Sequence, residues 1–193
     1  TNGMPVPSGK EYLVNVWPTN LDLNDVERDT KYQEYKEQVK KDIEAVRDKV
    51  DVLIVAMHWG VEYTHEPTAY EKDMAEYLAN LDVDIIIGTH PHVVQPVIWI
   101  DDTLVIYSLG NFISAQHPLG LEKIIGLFVG VDIVVKDGKV TFENLNYELL
   151  YTYCEPGYQN FSVIPFSQLT DDKLANHEAI NQQYLEIVKR EGL

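Results

Sequence analysis

Asp51-Val52-Leu53-Ile54-Val55-Ala56-Met57-His58-Trp59-Gly60 and Val83-Asp84-Ile85-Ile86-Ile87-Gly88-Thr89-His90-Pro91-His92 decide the fold of this chain. Each is a continuous apolar run, rich in Val and Ile, that ends at a histidine. Such runs fit strands covered on both faces. Between them Thr68 can cap a helix, with Pro67 before it and Glu71 placed to reach back in a capping box. Tyr70, Met74, Tyr77, Leu78 and Leu81 then recur at helical spacing. The whole predicts a strand-helix-strand unit with a right-handed crossover. Its strands run the same way, so both histidine motifs emerge at the edge where open α/β sheets place their ligands. His58, His90 and His92 gathered there point to a metal.

Working outward, Tyr32, Tyr35, Val39, Ile43, Val46 and Val50 step by three or four and predict a preceding helix, with Glu37 and Lys41 as an exposed pair. Downstream, Val97–Ile100 and Leu104–Tyr107 flank Asp101-Asp102-Thr103 and predict a hairpin. Its second arm returns toward the histidine edge, so Ser108-Leu109-Gly110-Asn111-Phe112 should arrive beside the imidazoles. Residues 124–135 and 140–150 read as strands joined at Lys136-Asp137-Gly138-Lys139. Gly126 and Gly130 in the first of them mark a bulge or a close backbone approach. Residues 151–169 read as a Pro/Gly/aromatic connection, followed by a last helix through Leu174, Ile180, Tyr184, Ile187 and Val188.

Three motifs in this order are specific: His58-Trp59-Gly60-Val61-Glu62-Tyr63, Gly88-Thr89-His90-Pro91-His92 and Tyr107-Ser108-Leu109-Gly110-Asn111-Phe112. With them the chain resembles the CapA family of bacterial poly-γ-glutamate capsule biosynthesis proteins, from Thr1 to about Gln116. The family's domain is similar to calcineurin-like metallophosphatases. The resemblance implies an α/β fold, the C-terminal half of an αββα sandwich: a strand-helix-strand unit, antiparallel hairpins and a C-terminal helix. Residues 1–150 would belong to that domain, and residues 151–193 would be a connection and a helix packing on it. It implies that His58 and His90 bind one ion of a dinuclear Mn, Fe or Zn pair and His92 the other. The substrate would be a capsular polymer, a phosphoester or an amide, the partners other capsule synthesis proteins, and the location the extracellular face. The Asp and Asn motifs that such phosphatases carry upstream are not in this sequence, which opens on loop-like residues without an initiator methionine. The chain is therefore expected to be an excised or proteolysed C-terminal portion, its membrane anchor lying in a missing N-terminal segment. As such it would have a partial or empty site and little or no turnover, because two-metal hydrolysis needs ions held about 3.5–4 Å apart. An exposed sheet face would favour dimerisation, strand exchange or poor solubility.

Each of these residues also has a plainer reading. The three histidines could be hydrogen-bonded at strand ends, although together they read as ligands. Glu62 could be a general acid/base, a group that orients a ligand, or a surface carboxylate. Trp59 and Tyr63 could stack on substrate or pack in the core. Asn111 could orient water or a ligand, or Gly110-Asn111 could form a turn. His65 and His117 are stray ligands or loop residues, and His177 is a solvated helical residue. A non-catalytic role, as a binding or scaffolding part of a polymer synthesis and export complex, stands as the alternative to a hydrolase.

A formal charge of −16 over 193 residues argues against nucleic acid and anionic membranes as partners. For an anionic polymer, metal ions or a local basic patch must offset the repulsion. One cysteine, Cys154, excludes an intrachain disulfide and a Cys-rich zinc site. No apolar run approaches membrane-spanning length.

Overall fold

The two histidine-terminated runs become β1 (Ile54–His58) and β2 (Ile85–Thr89), parallel neighbours in register from Ile54–Ile85 to His58–Thr89. Both motifs therefore leave the sheet at one edge, as expected. The structure is a computed structural model that describes residue 8, residues 25–116 and residues 120–190. The opening stretch Thr1–Pro7 and His117 lie outside the described residues. The chain divides into two compact units between Val46 and Arg47.

Helix α1 spans Asp25–Arg47. Tyr32 and Ile43 are its buried apolar residues, whereas Val46 and Val50 are exposed, so the apolar stripe predicted through Val50 outruns the helix. Lys40 and Glu44 make an exposed i,i+4 pair at 3.8 Å. In the second unit Arg47 fastens the turn before β1. Its guanidinium donates to Asp84 Oδ2 and the Asp82 carbonyl, both at 2.7 Å, and to the carbonyls of Val50 and Asp51 at 3.1 Å. Asp84 Oδ2 also accepts from the Leu53 amide at 2.7 Å, which ties the starts of the two strands together.

Helix α2 (Ala69–Ala79) starts with the predicted capping box, Thr68 and Glu71 exchanging side-chain and backbone bonds. Its buried stripe is Glu71, Met74, Ala75 and Leu78, while Tyr70 faces solvent. Strands β3 (Val97–Ile100) and β4 (Thr103–Ile106) form the predicted hairpin. β4 then pairs in parallel with β2, giving among the described residues a four-stranded sheet in the order β1-β2-β4-β3. Ile86 and Val105, fully buried, point to one face, and Ile85, Leu104 and Ile106 point to the other.

A second, antiparallel sheet contains β5 (Ile125–Lys136), β6 (Lys139–Glu155) and β7 (Gln159–Pro165). Asp137 and Gly138, both with positive φ, close the first hairpin as a two-residue turn. Both glycine expectations hold. The register of β5 shifts between Gly130 and Asp132, and Gly126 bridges to Gly110, where a side chain on Gly126 would overlap the Asn111 carbonyl oxygen. The stretch read as a connection over 151–169 differs: β6 runs on to Glu155 and β7 pairs back on it across Pro156-Gly157-Tyr158. Helix α3 (His177–Val188) completes the chain order. Ile85, Val97, Leu104, Ile106, Ile125, Leu127, Leu149, Phe166, Tyr184 and Val188 share one core, which joins the two sheets and α3.

The expectation of strands covered on both faces holds for β2 but not for β1. Among the described residues β1 is an edge strand, and Ile54, 48% exposed, shares its open face with Ala56 and His58. Among the described residues no helix is long and apolar enough to cross a membrane.

Candidate metal centre

The end of β1 and the end of β2 lie side by side, so His58 and His90 meet with ring centroids 4.5 Å apart. His90 and His92 lie 5.9 Å apart. The loop that carries them is bent unusually: His90 has φ 101° and His92 φ 59°. Such angles cost non-glycine residues about 1–3 kcal/mol each and persist only where the surroundings enforce them. Here the Tyr63 amide, itself at φ 62°, donates to the Pro91 carbonyl at 2.7 Å, and the Trp59 amide donates to the Thr89 carbonyl at 3.1 Å.

Asn111 arrives beside the histidines as expected and fixes the chemistry of His92. Its Nδ2 donates to the carbonyls of Lys123 at 3.0 Å and His92 at 3.3 Å, which can only accept. Its Oδ1 therefore faces His92 Nδ1 at 2.9 Å, and that nitrogen carries the proton. His92 Nε2 takes no part in that bond, and Glu62 Oε1 lies 3.9 Å from it. A carboxylate and an imidazole lone pair pointed at each other repel unless a cation or a proton lies between them. Two donors that each bind an ion at about 2.1 Å stand no more than about 4.2 Å apart, so the spacing fits a metal. The ligand atoms of Glu62, His90 and His92 all fall within 4.8 Å of one another. Glu62 thus stands among the metal-capable donors, and His58 stands behind His90. Burial, with repulsion from His90 and His92 where those rings are protonated, holds the His58 imidazole below its usual 6.5.

The other sequence-derived residues are placed as follows. Trp59 is 5% exposed, and its indole N–H donates to the Tyr107 carbonyl at 2.9 Å, so its ring lies in the core. Tyr63 is exposed and stacks on His92 with centroids 6.0 Å apart. His65 donates from Nδ1 to the Val94 carbonyl at 2.7 Å and packs edge-on against Tyr184, away from the cluster. His177, expected to be solvated, is instead half-buried with Asp171 at 3.1 Å.

Glu71 is the residue the sequence under-read. The capping box accounts for Oε2, which accepts from the Thr68 amide at 2.6 Å, but the side chain is only 2% exposed. Glu71 Oε1 and Gln95 Oε1 are both buried without a paired donor among the described residues, and the Glu71 carboxyl lies within hydrogen-bonding reach of the Gln95 side chain. Gly60 (φ 82°) makes room for the carboxylate, because a side chain there would overlap it. Burial raises the Glu71 carboxyl above its ordinary 4.5. Its contribution to stability is therefore fully present below that value and is lost as pH rises through the folded one. Glu71→Gln keeps an acceptor for Thr68 and removes the charge. The variant should melt at or above the parent at pH 7 and lose that advantage at pH 4. Parallel melting curves for both proteins across this range would contradict the assignment.

The profile of the family described as Bacterial capsule synthesis protein PGA_cap matches residues 5–116. The PGA biosynthesis protein CapA of Bacillus subtilis (strain 168) is 36% identical over 74 residues, 38% of this chain and 20% of that protein. The capsule biosynthesis protein CapA of Bacillus anthracis is 34% identical over 79 residues, 41% of this chain and 19% of that protein. The match thus spans about a fifth of the length of these relatives.

Proposed function

The chain belongs to the bacterial capsule synthesis protein family PGA_cap, and from that premise we propose that it carries the histidine side of a metal centre used in capsular polymer biosynthesis. The observation that supports this most is the Glu62–His92 pair, two lone-pair donors 3.9 Å apart with the tautomer of His92 fixed by Asn111. Glu62, His90 and His92 would hold one divalent ion, with His58 beside His90 available to a second. Imidazole and carboxylate donors together suit Mn, Fe or Zn. Such an ion supplies Lewis acidity toward a phosphoryl or amide carbonyl oxygen. The chain's own part is to orient: Asn111 sets the imidazole, Trp59 braces the loop from the core, and Tyr63 lines the mouth. Glu62 would be a ligand first, and a proton acceptor only when displaced from the ion.

With one close group of donors among the described residues, this chain would bind metal without efficient two-metal turnover. In the cell the natural setting would be the outer face of the membrane, among other capsule synthesis proteins. A second reading, a non-catalytic docking component, draws support from Phe128, Ile133, Val134 and Val135, apolar side chains exposed along β5.

Acidification tests the metal assignment. Neutral imidazoles bind and protonated ones do not, so affinity must fall with pH. Equilibrium dialysis against Mn²⁺ or Zn²⁺ should show binding at pH 7.5 that weakens about tenfold or more at pH 5.5. Binding that is independent of pH would place the ion on surface carboxylates and overturn the assignment.

A further inference from the structure

We propose that the outer edge of β5 is a self-association surface, through which two copies of this chain pair antiparallel about a two-fold axis at Val134. This contact is independent of the metal centre and needs no ion.

Ile133, Val134 and Val135 are consecutive in β5 and all exposed. Neighbours in a strand point to opposite faces, so this part of the β5–β6 hairpin is open on both. Among the described residues β5 also has no neighbour on its outer side, because the sheet runs β5-β6-β7. The backbone there has bonds to offer. Asp137 and Gly138 form a two-residue turn with positive φ at both positions, so Lys136 and Lys139 exchange hydrogen bonds. By alternation Val134 bonds to β6, whereas Ile133 and Val135 turn their N–H and C=O groups outward. In a pairing centred on Val134, Ile133 of one copy faces Val135 of the other, which joins those outward groups.

Charge selects this partner and this register. Asp132 stands across from Glu143 in the hairpin, and Lys136 stands across from Lys139. Like charges directly opposite each other are unfavourable. Asn144 Nδ2 donates to Asp132 Oδ2 at 2.7 Å but, being neutral, leaves the negative charge in place. The run Asp132-Ile133-Val134-Val135-Lys136 is complementary to itself when reversed. About the axis at Val134, Asp132 of each copy falls opposite Lys136 of the other, and Val134 falls opposite Val134. An axis at Asp132 would set that carboxylate against itself, and one at Lys136 would do the same to the ammonium. A second copy thus brings to β5 the opposite charges that its own hairpin withholds. The contact is isologous and closes at the dimer.

The test is sedimentation velocity of the 193-residue chain without added metal, across micromolar concentrations. Salt at about 0.15 M screens the long-range repulsion between two chains of charge −16. The parent should show a reversible monomer–dimer equilibrium. Asp132→Lys and Lys136→Asp each set like charges across the axis at both ends, and each should weaken the dimer about tenfold or more. The double charge exchange should restore it. A parent that stays monomeric or assembles beyond the dimer overturns the proposal. So do single variants that dimerise like the parent, or a double exchange that fails to recover the dimer. Disulfide capture gives a second reading that does not depend on how the charge variants fold. In a Cys154→Ser background, Val134→Cys should be trapped by glutathione disulfide as a covalent dimer. Directly opposed residues at such a position lie about 4.5 Å apart at Cα, within disulfide reach. Phe128→Cys, exposed on the same strand but far from the axis, should not be trapped. Equal capture of the two, or no capture of Val134→Cys, overturns the proposal as well.

Discussion

His92→Ala is expected to weaken divalent metal binding by about a hundredfold or more, since altering a residue that merely orients a ligand already costs about 10- to 100-fold. His92 is the donor whose state the surrounding structure defines. Its proton is held on Nδ1 by Asn111, and its free Nε2 faces Glu62. Alanine removes that donor and leaves Glu62 and His90 as an incomplete group. Asn111→Ala should give a smaller loss, within the range for orienting residues, because the imidazole remains but its tautomer is released. His65→Ala serves as a control and should leave metal binding intact, since His65 is bonded to the Val94 carbonyl and packed on Tyr184. Metal affinities from competition with a chromophoric chelator would rank the three. Equal affinity in parent and His92→Ala would remove His92 from the site.

Gly88→Ala is expected to destabilise the fold by about 3–5 kcal/mol, combining overpacking with a broken buried hydrogen bond. Gly88 lies in β2 opposite Met57, and its missing side chain is what lets the sheet close. A methyl group there would overlap the Tyr107 carbonyl oxygen and the Trp59 indole nitrogen. Those two atoms form the buried hydrogen bond that anchors Trp59. Displacing the indole would release the Trp59-Gly60 turn and, with it, the approach of Glu62 to His92. For a chain of this size the melting temperature should fall by about 10 °C, with tryptophan fluorescence shifting toward that of exposed indole. A variant that melts like the parent would show that Trp59 can yield at little cost.

The strand-helix-strand unit was legible because its signals are local and agree. The apolar runs, the Thr68–Glu71 capping box and the Asp137-Gly138 turn each specify backbone geometry within a few residues. β7 was missed although Pro156-Gly157 marks its turn. Pairing there depends on positive φ at Gly157 and Tyr158 and on a register shift in β6, which no alternation of apolar residues announces. The exposed face of β1 was illegible for a different reason. Its Val/Ile run reads like that of a central strand, and its place at the sheet edge follows from which strands pair.

The candidate site divides in the same way. His58, His90, His92 and Asn111 were legible from residue type and strand order. That Glu62 joins His90 and His92 while His58 stands behind was not, because side-chain direction there follows from the positive φ of Tyr63, His90 and His92. Glu71 carries no pattern beyond its half of the capping box, and its burial follows from the helix stripe it belongs to.

The most direct measurement is elemental analysis of the chain after loading with Mn²⁺ or Zn²⁺ at pH 7.5 and exhaustive dialysis, alongside His92→Ala treated identically. About one ion retained per parent chain, and essentially none on the variant, is the predicted result. A parent free of metal, or a variant that retains as much as the parent, would contradict a metal centre built on Glu62, His90 and His92.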